Sequence, residues 1–380
     1  MDFPSKLPDV GTTIFSVMSA LAAECGAVNL SQGFPDFAVD PRLIDLVADA
    51  MRRGENQYAP MPGLPALREQ IARKARALYG AHYDPETEVT VTSGATEAVF
   101  AAITATVGRD EEAVVIEPAY DAYAPAIRLA GGVPVFVPMR YPGYAVDWDR
   151  VGRAVTPRTR LLILNSPHNP TGTAFDERDI DALKAVLSRT AALVLSDEVY
   201  EHILFDGRRH ESMARHPELA ARSFVVSSFG KTYHATGWKV GYCLAPAALT
   251  AELRKVHQYV TFATSTPFQA AIADFMASGS DHLALGAFYQ AKRDRFRALV
   301  APSRFRVLPC HGTYFQMLDH SAVSDEPDVS FARRLTEAHG VAAIPPSVFY
   351  RGGDDHRVLR FCFAKSDDTL ELAAERLCDI

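Results

Sequence analysis

The sequence lacks the marks of a membrane, secreted or strongly basic chain. No apolar stretch in its 380 residues reaches the roughly 20 that a membrane helix requires. The opening residues, Met1-Asp2-Phe3-Pro4-Ser5-Lys6, show no basic run followed by an apolar block, so no signal peptide is expected. Cysteine is sparse and scattered: Cys25, Cys243, Cys310, Cys362 and Cys378 form no C-x-x-C pair. This argues against a disulfide framework or a zinc ribbon and fits a reducing compartment. Positive charge is in deficit, with 39 Lys+Arg against 46 Asp+Glu and a net charge of −7. That argues against a nucleic-acid binder held by an overall positive field. Repeats, low-complexity tracts and long charge runs are missing, and no G-x-G occurs, which removes the dinucleotide fingerprint. The expectation is a soluble cytoplasmic protein.

What remains is ordinary globular material, 48% hydrophobic and 22% charged, long enough for two or three domains at roughly 150 residues each. Short apolar runs at 88–92, 113–117, 133–138, 161–165, 193–196, 223–228 and 240–245 alternate with helical patterns at 95–106, 123–130, 176–188 and 247–259. Several runs are almost unbroken Val, Ile and Leu, as suits strands buried on both faces of a mostly parallel sheet. Past residue 266 come helical stretches at 267–277 and 281–300, then strand-like runs at 304–308, 313–318 and 358–363 with helical patterns at 329–339 and 369–377. The predicted fold is α/β: a large domain with a seven-stranded, mostly parallel sheet sandwiched by helices, plus a small α+β domain. The predicted division is 1–44 as an N-terminal arm and part of the small domain, 45–280 as the large domain and 281–380 as the small C-terminal domain. Pro4, Pro8, Pro35 and Pro41 predict that much of the arm is extended.

In an open α/β fold, ligands bind at the carboxyl ends of the strands. After 88–92 comes Ser93-Gly94-Ala95-Thr96-Glu97, small residues opening a helix whose N–H groups suit a phosphate, or a plain helix cap. After 161–165 comes Ser166-Pro167-His168-Asn169-Pro170-Thr171-Gly172, an irregular turn that holds the Asn169 amide. After 193–196 comes Asp197-Glu198-Val199-Tyr200, whose aspartate needs a cation or good hydrogen bonds, or serves as a cap. After 223–228 comes Phe229-Gly230-Lys231-Thr232, then Gly237-Trp238-Lys239. The Gly-Lys-Thr triplet is not the end of a P-loop, because Val225 stands where that pattern needs glycine. A desolvated Lys231 could instead be a neutral amine able to form an imine with a carbonyl. His168, His202 and His234 have spacings that match no metal motif. Together, an amine, a carboxylate, an amide, a phenol and phosphate donors on successive strand ends fit the chemical needs of pyridoxal 5′-phosphate.

From Asn29-Leu30-Ser31-Gln32-Gly33-Phe34-Pro35-Asp36-Phe37 to Arg360-Phe361-Cys362-Phe363, the chain resembles the class I/II, fold-type I pyridoxal-phosphate aminotransferases. The most specific segment runs from Ser227-Ser228-Phe229-Gly230-Lys231 to Gly237-Trp238-Lys239. Within that family it is most similar to the kynurenine/glutamine branch and to bacterial methionine aminotransferases, on Thr12-Thr13-Ile14-Phe15 and Asn56-Gln57-Tyr58-Ala59-Pro60-Met61.

The resemblance implies that Lys231 carries the cofactor covalently and then shuttles a proton. It implies that Asp197 pairs with the pyridinium, that Asn169 and Tyr200 bond the ring oxygen, and that Tyr120 stacks on the ring. Ala95, Thr96, Ser228 and Lys239 would bind phosphate; many relatives carry arginine at the position of Lys239. Tyr58 would reach the phosphate of the other subunit in a homodimer. Arg360, with Asn169 and the Gly33 backbone, would clamp the substrate carboxylate, a task its planar fork suits. Ile14, Phe15 and Phe34, with Tyr120, would form an apolar wall for the side chain. The implied activity is ping-pong transamination from a neutral or hydrophobic L-amino acid, methionine favoured, to a 2-oxo acid. Cysteine-conjugate β-lyase or kynurenine–oxoglutarate transaminase activity is the alternative. Beside these stand a regulatory protein on the same fold and an unrelated α/β binding protein, which would bind no chromophore.

Overall fold

The structure is a computed structural model describing residues 4–279 and 281–380. Its strands are β1 (Val28–Asn29), β2 (Val89–Thr92), β3 (Glu112–Glu117), β4 (Val133–Pro138), β5 (Thr159–Asn165), β6 (Leu193–Asp197), β7 (Ser223–Ser228), β8 (Gly241–Leu244), β9 (Arg306–Val307), β10 (Phe315–Asp319), β11 (Val341–Ala342) and β12 (Val358–Cys362). Seven of them form one sheet in the order β2-β8-β7-β6-β5-β3-β4. β8 runs against both of its neighbours, and the other pairings are parallel. All seven strands coincide with the seven apolar runs.

The unbroken apolar character of these strands follows from double burial. Val114, Ile116, Leu162, Leu164 and Val194 face one core, which packs under the helices Pro41–Arg52, Pro65–Tyr79, Glu177–Leu187 and Thr266–Ser278. Their neighbours Ala113, Val115, Leu161, Ile163 and Leu195 face the other, under Gly94–Thr106, Tyr123–Leu129 and Ala247–Val260. A third core surrounds the three-stranded antiparallel sheet β12-β10-β9, with Phe296, Phe331, Phe361 and Leu370 completely buried. β1 pairs with β11 in parallel, so the 28–29 segment joins the C-terminal part of the chain.

The expectation for the first 40 residues needs correcting. Ile14–Cys25 is a helix, capped by the Thr13 side chain accepting from the Ser16 N–H and closed by Gly26 in the left-handed conformation at φ 60°. The prolines at 4, 8, 35 and 41 flank this helix instead of interrupting it. Pro41 and Pro65 each open a helix at the position where the missing N–H does no harm. Neither of these two helices was anticipated.

One buried ionic cluster ties the elements behind the sheet's carboxyl edge. Glu201 accepts from Lys74 at 2.6 Å and from Tyr242 at 2.9 Å, and also from the hydroxyls of Tyr79 and Ser227. These donors come from the Pro65–Tyr79 helix, β8 and β7. Burial alone would raise the Glu201 carboxyl; Lys74 and the other donors outweigh it and hold the group well below its usual range. Lys74→Met removes the cation and leaves a buried anion, which costs about 3–5 kcal/mol. The exposed Lys255–Glu252 pair should contribute about 1 kcal/mol at most. Denaturant midpoints of Lys74→Met and Lys255→Met, measured side by side, should therefore differ widely, with Lys255→Met near wild type.

Candidate active site

The carboxyl ends of β2, β3, β5, β6 and β7 open onto one cavity of about 260 Å³. Its wall includes Gly33, Phe34, Ala95, Thr96, Tyr120, Asn169, Asp197, Tyr200, Ser228, Lys231 and Lys239, so eleven of the fifteen residues given a role from the sequence meet there. Ile14, Tyr58, Phe15 and Arg360 do not line it. Tyr58 is 85% exposed, with its ring against Phe262 at 5.3 Å. Phe15 packs beside Phe349 at 5.7 Å. Arg360 lies behind the wall at 1% exposure, its guanidinium 4.0 Å from the centre of the Phe315 ring.

Each strand contributes through its last residue or the few that follow it. Asn165, the last residue of β5, donates from Nδ2 to the Asp197 carbonyl at 2.8 Å and accepts the Asn169 N–H on Oδ1 at 2.8 Å. It thereby locks the turn carrying Asn169 to the end of β6. Asn169 Oδ1 in turn accepts from Arg360 Nη1 at 2.8 Å, while Nη2 donates to the Ser31 carbonyl at 2.7 Å. Among the described residues, Arg360 Nε is buried with no partner. Burial pushes this guanidinium down to about 10, although the positive charge is retained at neutral pH.

Asp197 is 6% exposed, and burial raises its carboxyl above the ordinary range. Tyr123 opposes that shift by donating its hydroxyl to Oδ2 at 2.6 Å. Lys231 shows the mirror effect. The residue is half-exposed to the cavity, but its Nζ lies deep among protein atoms, and burial brings the amine down to about 8. The amine does not pair with Asp197; it donates to the Gly33 carbonyl at 3.1 Å and to the Tyr314 hydroxyl at 3.0 Å.

An anion cradle closes the third side. Gly94, at φ 74°, opens the 13-residue helix Gly94–Thr106, whose first turn holds Ala95 and Thr96. A Cβ on Gly94 would sit 3.1 Å from Lys239 Nζ, so that ammonium already lies over the helix start. Gly241 lets β8 approach: a Cβ there would meet the Ala95 nitrogen at 2.7 Å and the Ser227 carbonyl oxygen at 2.8 Å. Ser228 caps the short Phe229–Thr232 helix at the same place.

Sequence reasoning missed Tyr123 and Tyr314 as site residues. Tyr123 was legible as the tyrosine three positions after Tyr120, where the helix Tyr123–Leu129 begins, whereas Tyr314 carries no local signal that separates it from a core aromatic and is 0% exposed. Tyr120 and Phe34 stand on the cavity wall, but Ile14 and Phe15 pack instead against the third core.

A buried amine and a buried acid on one cavity, with an anion cradle between strand ends, define an α/β enzyme of the group-transfer kind. The chain matches the family model for aminotransferase class I and II over residues 26–377 and belongs to that family. It is 52% identical over 374 residues to the methionine aminotransferase of Escherichia coli, covering 98% of this chain and 97% of that protein. The crystal structure of an Escherichia coli methionine aminotransferase superposes with a TM-score of 0.98 at 51% identity, over all of both chains. It is also 41% identical to a probable N-succinyldiaminopimelate aminotransferase of Mycobacterium tuberculosis, over 98% of this chain and 97% of that one. The kynurenine–oxoglutarate transaminase of Dictyostelium discoideum is 34% identical, over 98% of this chain and 95% of that one. The chain is a transaminase. Among the described residues, no helix is long and apolar enough to cross a membrane.

The Lys231 amine gives a pH prediction. Only the neutral amine is nucleophilic, so its reactivity rises with pH through its own pKa and then levels. Reductive methylation with formaldehyde, followed by peptide mapping, should place the Lys231 midpoint near pH 8. An ordinary lysine would give about 10.4.

Proposed function

We propose that this transaminase holds pyridoxal 5′-phosphate in the cavity and moves the amino group of a neutral or hydrophobic L-amino acid, methionine first, to a 2-oxo acid in ping-pong order. The observation that carries this reading is the pair Lys231 and Asp197, each pushed toward its neutral form by burial and neither bonded to the other. The donor set fits the group: an amine for its aldehyde, a carboxylate for its ring nitrogen and an anion cradle for its phosphate. Bound there, the cofactor supplies an electron sink for the pair left when the substrate Cα–H bond breaks.

The chain's own residues do the rest. Asp197, held by Tyr123, keeps a proton on the ring nitrogen. Asn169 and Tyr200 donate toward the ring oxygen, and Tyr120 covers the ring face. Ala95, Thr96, Ser228 and Lys239 hold the phosphate. Freed from covalent linkage, the Lys231 amine takes the Cα proton and returns it, as base and then acid. Arg360 clamps the substrate carboxylate together with Asn169 and the Gly33 backbone; its Nη1 already donates to the Asn169 amide oxygen at the cavity wall.

The wall supports a neutral side chain. Among the described residues lining the cavity, the charged ones are Asp197, Lys231 and Lys239, all assigned to the cofactor. Phe34, Val99 and Val199 supply apolar surface. The methionine aminotransferase likeness at 52% identity favours methionine among such donors.

We also propose a homodimer in which Tyr58 reaches the partner's phosphate. Tyr58 and Tyr259 are each 85% exposed, with Val260 at 52% and Phe262 at 44%, an apolar surface of the kind that partners cover. The units 1–44, 45–280 and 281–380 are proposed as N-terminal arm with part of the small domain, large domain, and small C-terminal domain.

The test is the visible spectrum of the purified protein loaded with pyridoxal phosphate. L-Methionine without an oxo acid should bleach the yellow band, and Lys231→Ala should abolish that change while keeping the fold. Persistent colour with methionine but bleaching by another amino acid would overturn the substrate; a protein that never takes up the chromophore would overturn the whole reading. Separately, Arg360→Ala should lower kcat/KM by roughly 10- to 150-fold, the loss expected for a charge-assisted hydrogen bond. Steady-state kinetics should show that loss in KM for the amino acid more than in kcat.

A further inference from the structure

Tyr314 lies among buried aromatic rings, yet its hydroxyl is the group that meets the Lys231 amine. The ring is fixed on several sides, edge-on to Tyr200 at 5.1 Å and 5.6 Å from Tyr289. Its backbone carbonyl accepts the Phe363 N–H at 2.9 Å. The hydroxyl therefore has little freedom. It donates to the Gly33 carbonyl at 2.6 Å and accepts from Lys231 Nζ at 3.0 Å, while Nζ also donates to the Gly33 carbonyl at 3.1 Å. The phenol stays protonated, because burial and its neighbours hold it well above the usual tyrosine value.

These three contacts fix more than a position. A neutral primary amine has two N–H bonds and one lone pair. With one N–H on the Gly33 carbonyl and the other on the Tyr314 oxygen, the lone pair points away from both. We propose that Tyr314 is a positioning residue that, with the Gly33 carbonyl, aims the Lys231 lone pair into the cavity. The assignment rests on the pyridoxal-phosphate reading above and deepens it. The oriented lone pair serves the covalent capture of the aldehyde: it adds to the carbonyl carbon, and the carbonyl oxygen leaves as water with both amine protons. The same orientation serves the freed amine as a base.

The test begins with apoprotein, so that it does not depend on turnover. Wild type and Tyr314→Phe are each mixed with pyridoxal 5′-phosphate, and growth of the visible band is followed by stopped flow. Affinity for pyridoxine 5′-phosphate, which keeps the ring and phosphate but has no aldehyde, is measured beside it. Band growth in Tyr314→Phe should slow by about 5- to 50-fold with pyridoxine phosphate affinity unchanged. In the loaded protein, methionine bleaching should slow likewise, with KM unchanged and a larger isotope effect from Cα-deuterated methionine. Equal rates of band growth overturn the assignment. A loss of pyridoxine phosphate affinity in step with the rate also overturns it, because the phenol is then only part of the scaffold. Tyr314→Leu, a second phenol-free variant checked by circular dichroism, replaces Tyr314→Phe if that variant does not fold. Wild type that forms no band at all would instead overturn the pyridoxal-phosphate reading on which this rests.

Discussion

Two ionisable groups of opposite kind are enclosed at one end of the sheet and kept from neutralising each other, and the site is organised around that separation. Lys231 gives its protons to Gly33 and Tyr314, and Asp197 takes its hydrogen bond from Tyr123. A direct ion pair would remove much of the desolvation cost of both groups. It would also leave neither group free to act on a third molecule. Holding them apart leaves the amine lowered to about 8 and the carboxyl raised, so each releases its charge more readily than usual and the acid is avid for a proton or a cation. A pyridine ring carrying an aldehyde on one side and a nitrogen on the other answers both demands at once, and transaminase chemistry asks for that answer.

The Glu201 cluster shows the opposite solution a few residues further along the same segment. Glu201 is buried like Asp197, but it meets Lys74 and three hydroxyls, and its carboxyl is held well below the usual range. Asp197 has one hydroxyl and a backbone N–H at 3.4 Å, and its carboxyl is raised. The difference is donor number and charge, since both side chains are deeply enclosed. One buried carboxylate with its donors satisfied ties the Pro65–Tyr79 helix, β7 and β8 together. The other, less satisfied, faces the cavity. β7, tied by the Glu201 cluster through Ser227, also pairs with β6 at Asp197 and Val226, so the strand end that carries the less satisfied carboxyl is itself held in the sheet.

How much could be read from the chain follows from where each signal resides. The seven strands were legible because double burial writes an unbroken apolar run into a few consecutive residues, as in Ala113–Val114–Val115–Ile116. Residues just past strand ends were legible for the same reason: Asn169, Asp197 and Lys231 stand at fixed short distances from such runs. The helix Ile14–Cys25 was misjudged because prolines were counted over the arm as a whole, when their places outside the helix were what mattered. Thr13 and Gly26 did carry its start and stop.

Tyr314 belongs to a different category. Its hydrogen bonds reach Lys231 across 83 positions and Gly33 across 281 positions of sequence. No local pattern records such a meeting, and a tyrosine at the start of a strand beside phenylalanine fits core packing equally well. Arg360 was named from the family resemblance and not from a local pattern, and it joins the cavity wall through Asn169, 191 positions away. Residues borne by the seven-stranded sheet declare themselves locally, because the strand end is both their sequence signal and their place in the site. Residues brought in from the other sheet depend on how the two sheets meet, and only the folded chain specifies that. The amine of Lys231 lies on this divide: its position comes from β7, and the direction of its lone pair from partners outside the seven-stranded sheet.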